Sequence, residues 1–264
     1  MKTTRFSLAV LAFLALSVFL SPFVVAQNVQ DLLNKGDNYF DVKYDNQKAL
    51  DTFFEADKIS PKNWEVYWRI SRAYVYIAEH MPENSSTAKD AQLAVFQKAY
   101  YYADQSVKLA PTEAITYVRR AIANGKIALF KGIFSVGGVV NAVKADCDKA
   151  IALGNGGNYV QALAYYILAR TNAEVSKKWK PARSLLGLGW ADLDVAITDY
   201  KKAIDLYPNF RMFYFDLGYA YMRKDDYVDA RDMFNKVISS PKKDENDDSL
   251  LISAKAILEK IKDK

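Results

Sequence analysis

Arg-Met-Phe-Tyr-Phe-Asp-Leu-Gly-Tyr-Ala-Tyr-Met at 211–222, followed by Tyr-Val-Asp-Ala-Arg-Asp-Met-Phe-Asn-Lys-Val-Ile-Ser-Ser-Pro at 227–241, decides the fold. Two helix-length segments flank a polar turn, and Pro241 stops the second. Proline lacks the amide donor and restricts the residue before it, so it stands where a helix ends. Tyr214, Leu217, Gly218 and Tyr221 mark the first segment, Ala230 and Phe234 the second. The small residues Gly218 and Ala230 let two helices approach closely, while the aromatics fill the space between successive hairpins.

Working outward, the same closing design recurs at 55–61, 105–111, 148–155 and 202–208, each an amphipathic stretch ended by Pro or by Gly154-Asn155. Five stop signals of one kind imply five helical hairpins. Gly36, Ala49, Phe53, Ala56 and Pro61 repeat the small-and-aromatic set in the first unit, and Ala196, Tyr200, Ala203 and Pro208 repeat it in the fourth. The middle units carry extra segments: a polar turn at 81–86, a glycine-rich apolar stretch at 130–139, and 177–189 with Trp179, Pro181 and Leu185-Leu186-Gly187-Leu188-Gly189. Insertions in a solenoid gather on one face, often the binding face. Acidic residues at 244–248 precede an apolar-periodic segment with Leu250, Leu251, Ala254, Ile257, Leu258 and Ile261, expected to be a capping helix entered through a solvated linker. No window alternates with a period of two, so no sheet is expected.

These residues resemble the tetratricopeptide repeat. The resemblance implies an all-α fold, an α-α superhelix of about five hairpins with insertions and a C-terminal capping helix. The long middle units, the Leu-Gly-Leu-Gly-Trp segment and the acidic linker before a final helix are similar, over about the last 150 residues, to the regulator of microtubule dynamics family and its bacterial relatives. The layout also resembles the T component of tripartite periplasmic transporters, an exported helical protein, although this chain lacks that component's lipid-attachment cysteine.

The N-terminus points to export. Lys2 and Arg5 precede an apolar run from Phe6 to Leu20, followed by the small-residue site Val24-Val25-Ala26, the layout of a signal peptide over 1–26 with cleavage before Gln27. The run is shorter than the roughly 20 residues that span a bilayer. A single domain over 27–264, periplasmic or secreted and with no membrane span after cleavage, is the expectation. The net charge of +5 over 264 residues is small, and a nucleic-acid partner is not expected. The lone Cys147 has no disulfide partner within the chain.

The residues offer little chemistry. With one His and one Cys, His80 and Cys147, a zinc site is excluded. Asp244, Asn246 and Asp248 lack the glycine and distal glutamate of a calcium loop, and Gly187-Leu188-Gly189 lacks a third glycine and a preceding strand. No cofactor, metal or catalytic residue is expected, and the chain reads as a binding protein rather than an enzyme.

In tetratricopeptide arrays the first helix of each hairpin lines the concave face. Transferring that register implies a groove with Trp68, Arg72 and Tyr76 from the second unit, Lys126 from the third, Tyr165 from the fourth, and Phe215, Tyr219 and Arg223 from the fifth. Apolar walls with a few cations suit a small acidic or amphipathic ligand, as in an auxiliary component of a transport system; a structural adaptor holding a peptide or protein partner in a cell-envelope complex is the other reading. Arg72 and Arg223 are read as exposed. The 130–139 insertion is left with three roles: roof of the groove, contact in a homo-oligomer, or packing between helices.

Overall fold

The computed structural model describes residues 22–264, with side chains from Ala26 onward. Most of the leader thus lies outside the described residues; α1 runs unbroken over Ala26 and Gln27. None of the described helices is long and apolar enough to cross a membrane.

The described residues form twelve helices and no strand: α1 Pro22–Asp41, α2 Asn46–Ile59, α3 Trp64–Glu79, α4 Ser86–Leu109, α5 Ala114–Lys131, α6 Gly137–Leu153, α7 Gly157–Val175, the short α8 Lys180–Ser184, α9 Leu193–Leu206, α10 Arg211–Met222, α11 Tyr227–Ser239 and α12 Asp247–Ile261. They pair as α1/α2, α3/α4, α5/α6, α7/α9 and α10/α11, with α12 closing the array on α10 and α11. The five expected hairpins and the terminal helix are therefore present.

Local chemistry sets these boundaries. Side chains of Asp45, Ser85, Asp192 and Asp226 accept backbone N–H bonds at the starts of α2, α4, α9 and α11, satisfying donors a helix start leaves orphaned. Each such cap contributes about 1 kcal/mol. At the 154–157 turn, Asn155 accepts the Ala114 N–H at 2.8 Å and donates to the Thr112 carbonyl at 2.7 Å, tying the end of α6 to the start of α5.

Packing follows the small-and-aromatic code. Ala49, Phe53 and Ala56 of α2 and Ala230, Phe234 and Val237 of α11 are buried completely. Burying a Phe or Leu in this way stabilises by roughly 1.5–3 kcal/mol. A Cβ on Gly218 would lie 2.9 Å from Cζ of Phe234, and one on Gly36 would lie 2.3 Å from Cε1 of Phe53. The same close approach thus recurs at both ends of the array.

The two apolar insertions pack on each other. Ile133, Phe134, Val136 and Val139 lie against Leu188 and Trp190 over Ala128, Val140 and Val175. Trp190 donates to Asn141 at 2.8 Å, and the buried Arg183 donates to the carbonyls of Lys178 and Ala191 at 2.7 and 2.6 Å, holding 178–191 as a folded loop. Of the three roles left open for 130–139, packing is therefore realised, and Ile133 also reaches the cavity described below.

One expectation needs correction. The acidic linker is not a solvated cap. Asp247 is fully buried and accepts the N–H groups of Lys243 and Asp244 at 2.7 and 3.0 Å. Asp244 accepts the Tyr76 hydroxyl at 2.7 Å, and Glu245 accepts both Asn46 amide bonds at 3.1 and 3.0 Å. Lys242 lies over the Tyr44 ring, 5.3 Å from its centroid. The linker thus returns across the open side of the superhelix and fastens the last hairpin to the first two.

Candidate functional site

The closure leaves a cavity of about 140 Å³ on the concave side. Its walls come from the first helices of hairpins two to five. Val75 and Tyr76 stand on α3, Ile122, Gly125 and Lys126 on α5, Leu163, Tyr166, Ile167 and Arg170 on α7, and Phe210 and Met212 at the start of α10; Val140 and Val143 of α6 and Ile133 add to the apolar lining. Gly125 borders the cavity in mid-helix, and a Cβ there would meet nothing within 4 Å.

The polar groups sit at the edges and are largely paired. Lys126 bonds Glu79, and Tyr166 donates to Asp216 at 2.7 Å while accepting from Arg170 at 3.3 Å. Tyr166 and Asp216 beside it raise the Arg170 pKa, holding that guanidinium charged. Burial, reinforced by Asp216, pushes the Tyr166 hydroxyl well above its ordinary range, so it remains a neutral donor.

A smaller hollow adjoins the cavity, and the two share Tyr76, Tyr159 and Phe210; Phe40, Asp41, Tyr44, Arg72 and the 243–245 linker complete it. Arg72 is buried, not exposed as expected. It donates to Asp37 at 2.6 Å and Asp41 at 3.2 Å and lies over the Phe40 ring, 3.9 Å from its centroid, so its first task is to join α3 to α1. Trp68 stands beside it, with the guanidinium carbons of Arg69, Arg72 and Arg119 at 4.1, 5.3 and 5.3 Å from its ring.

The expected site residues thus separate into groups. Tyr76 and Lys126 border the cavity, and Arg72 and Trp68 adjoin the smaller hollow. Tyr165 packs against the main core. Phe215 and Tyr219 turn toward α11, with ring centroids 5.8 and 5.7 Å from that of Phe234. Arg223 donates to the Ala173 carbonyl at 2.7 Å and to the Ser176 hydroxyl at 3.0 Å, locking α10 to the end of α7. On α7 the lining stripe is Leu163, Tyr166, Ile167 and Arg170, one residue away from the expected Tyr165. Near the start of that helix, Gln161 donates to the carbonyls of Ala150 and Asn155 at 3.1 and 2.8 Å.

Among the described residues no three His, Cys, Asp or Glu side chains are grouped as a metal site would require. Cys147 is buried, and burial pushes its thiol pKa well up, which suppresses the reactive thiolate.

A closed array of helical hairpins with its cavity on the first helices is a tetratricopeptide-like scaffold. The chain belongs to the regulator of microtubule dynamics protein 1-3 family, whose sequence model matches residues 32–262. No curated protein matches the sequence. Among solved structures it is similar to TTC0263, a thermophilic tetratricopeptide protein of Thermus thermophilus, with a TM-score of 0.59 and 17% identity over 86% of this chain and 99% of that one. It is also similar to PilW, a type IV pilus biogenesis factor, with a TM-score of 0.56 and 16% identity over 89% of this chain and 93% of that one. At these identities the likeness concerns the fold.

Proposed function

We propose that the chain is a non-catalytic binding module that holds a small amphipathic or acidic guest on its closed concave face. The scaffold is of the kind that serves protein–protein interaction, and what favours a small guest here is the closure. An extended peptide needs a groove open at its ends, whereas the 242–247 linker bridges this one through Tyr76–Asp244 and Asn46–Glu245. Apolar walls with polar groups at the rim are the usual make-up of a small-molecule pocket. Export to the periplasm or beyond, and service beside a transporter, would suit such a module.

The adaptor reading has one observation in its favour. Trp179 and Leu185 of the 177–189 insertion are 75% and 90% exposed, beside Lys177, Lys178 and Lys180. Exposed apolar side chains rimmed by charge mark partner surfaces. Native mass spectrometry of the protein purified from its own host separates the two. A small-molecule adduct removed by organic extraction supports the guest, while a stoichiometric protein partner with no such adduct contradicts it.

A further inference from the structure

Arg119 on α5 is 6% exposed, yet among the described residues it has no acceptor for its guanidinium, and its Nε is enclosed without a partner. A buried charge without a counter-ion is costly, and such groups are normally paired. The surrounding carboxylates are committed elsewhere. Asp37 serves Arg69 and Arg72, Asp41 serves Arg72, Asp244 accepts from Tyr76, and Glu245 accepts from Asn46. Its chain neighbour Arg120 shows the ordinary arrangement, bonded to Asp146 at 2.7 Å and Asp104 at 2.9 Å. Among the buried arginines of the described residues, Arg72 bonds carboxylates and Arg183 and Arg211 bond backbone carbonyls, while Arg119 has no acceptor.

Its position gives the surplus charge a use. Arg119, Ile122 and Lys126 follow one another at the three- and four-residue spacing of a single helix face, and Ile122 and Lys126 border the cavity. On the neighbouring α3 Arg72 and Tyr76 hold the same relation, and the guanidinium carbons of Arg72 and Arg119 each lie 5.3 Å from the centroid of the Trp68 ring, with that of Arg69 at 4.1 Å. Arg119 and Trp68 line neither space themselves; the cluster reaches the smaller hollow through Arg72 and the apolar cavity through Tyr76, which both spaces share. Burial, aided by the Arg72 charge, depresses the Arg119 pKa to about 10, and the group still carries its proton at neutral pH.

We propose that Arg119, assisted by Arg72 and Trp68, forms an anion subsite that receives the oxyanion head of an amphipathic guest, a carboxylate or a phosphate, whose apolar body occupies the adjoining cavity. Charge-assisted bonds to a planar guanidinium favour such oxygens over neutral groups. The proposal rests on the binding-module reading and adds to it the class of ligand and the residue that selects it.

The test uses the full chain freed of copurified molecules, with Arg119→Met and Arg119→Lys beside it. Octanoate, octyl phosphate, octanol and inorganic phosphate are titrated by calorimetry and thermal shift. We expect octanoate or octyl phosphate to bind the native chain at least tenfold more tightly than octanol, the stronger of the two identifying the head group. Arg119→Met should lose that preference while keeping octanol affinity, and should melt higher than the native chain without ligand; Arg119→Lys should keep part of the preference. Octanol binding equal to that of the anions in all three proteins overturns the anion subsite and leaves the cavity reading standing. Inorganic phosphate binding that only Arg119→Met abolishes, with no binding of the octyl compounds, supports the subsite and contradicts the amphipathic guest. Absence of binding by all four compounds overturns both.

Discussion

A methyl group on Gly36 would fall inside the Phe53 ring's contact distance, whereas one on Gly125 would fall into empty space. The two glycines therefore predict opposite signs. Gly36→Ala must displace a fully buried ring, Gly218→Leu must overpack the equivalent contact with Phe234, and Ala230→Leu must enlarge a fully buried alanine of α11; each should cost about 1–3 kcal/mol. Gly125→Ala restores helix propensity without a clash and should stabilise by up to about 1 kcal/mol. Urea denaturation midpoints check all four, and a uniform sign would contradict the packing described. The close-contact residues were legible in the sequence because they recur: Gly36 with Phe53 repeats Gly218 with Phe234. The division of labour between Arg119 and Arg120 was not, since the two are adjacent and identical and only their tertiary partners distinguish them. Asp199 is a further residue that sequence leaves silent. Burial, with Asp148 nearby and only partly offset by Lys144, raises its carboxyl pKa from 3.8 to about 6, and its Oδ2 is buried without a partner. The folded chain thus holds that proton more tightly than the unfolded chain. The contribution to stability is complete below the ordinary value and is lost as pH rises toward 6. Asp199→Asn should therefore melt above the native chain at pH 7, with the difference fading toward pH 4; an equal shift at both values would contradict the assignment.

Among the elements, α3 carries the joints that make the array a closed body. Arg72 binds it to α1 through Asp37 and Asp41, and Tyr76 binds it to the 242–247 linker. Arg72→Ala leaves Asp41 without its cation and Asp37 with Arg69 alone, and it removes the buried side chain that packs over Phe40. It should cost roughly 1–3 kcal/mol, measured by chemical denaturation. A stability unchanged by that substitution would return Arg72 to the exposed role expected from sequence. The linker is weaker. Tyr76→Phe with Glu245→Ala removes its bonds to the first hairpins, and faster amide exchange confined to 242–247 and α1–α2 is the expected result, with helix content preserved. Unaltered exchange there would mean that the linker does not hold the array closed. Helix number and pairing were readable from the Pro and Gly stop signals, and the insertions were readable as departures from the repeat length. Their mutual packing was not, because Leu188 and Ile133 lie far apart in sequence and no periodicity relates them. The acidic linker misled for a related reason: carboxylates usually stay in water unless paired, and Asn46 and Tyr76, 199 and 168 residues away from their partners, supply the pairing.

For the whole molecule, a repeat code specifies each hairpin against its neighbour and leaves the global curvature to the sum of small rotations. The register transferred from the repeat placed Tyr76 and Lys126 at the cavity edge, yet the α7 stripe is offset from Tyr165 by one residue and the fifth hairpin turns Phe215 and Tyr219 toward α11. The 242–247 linker then spans part of the concave surface and places Asn246 on the wall of the cavity, and the central claim is that this cavity holds a guest. Gly125→Phe tests it most directly, because Gly125 borders the cavity and an added Cβ there meets nothing within 4 Å, so the ring is directed into the space. Native mass spectrometry of the native and Gly125→Phe chains, both purified from the protein's own host, should show an extractable small-molecule adduct on the first and none on the second, with equal helix content by circular dichroism. The same adduct on both chains, or on neither, would contradict the account.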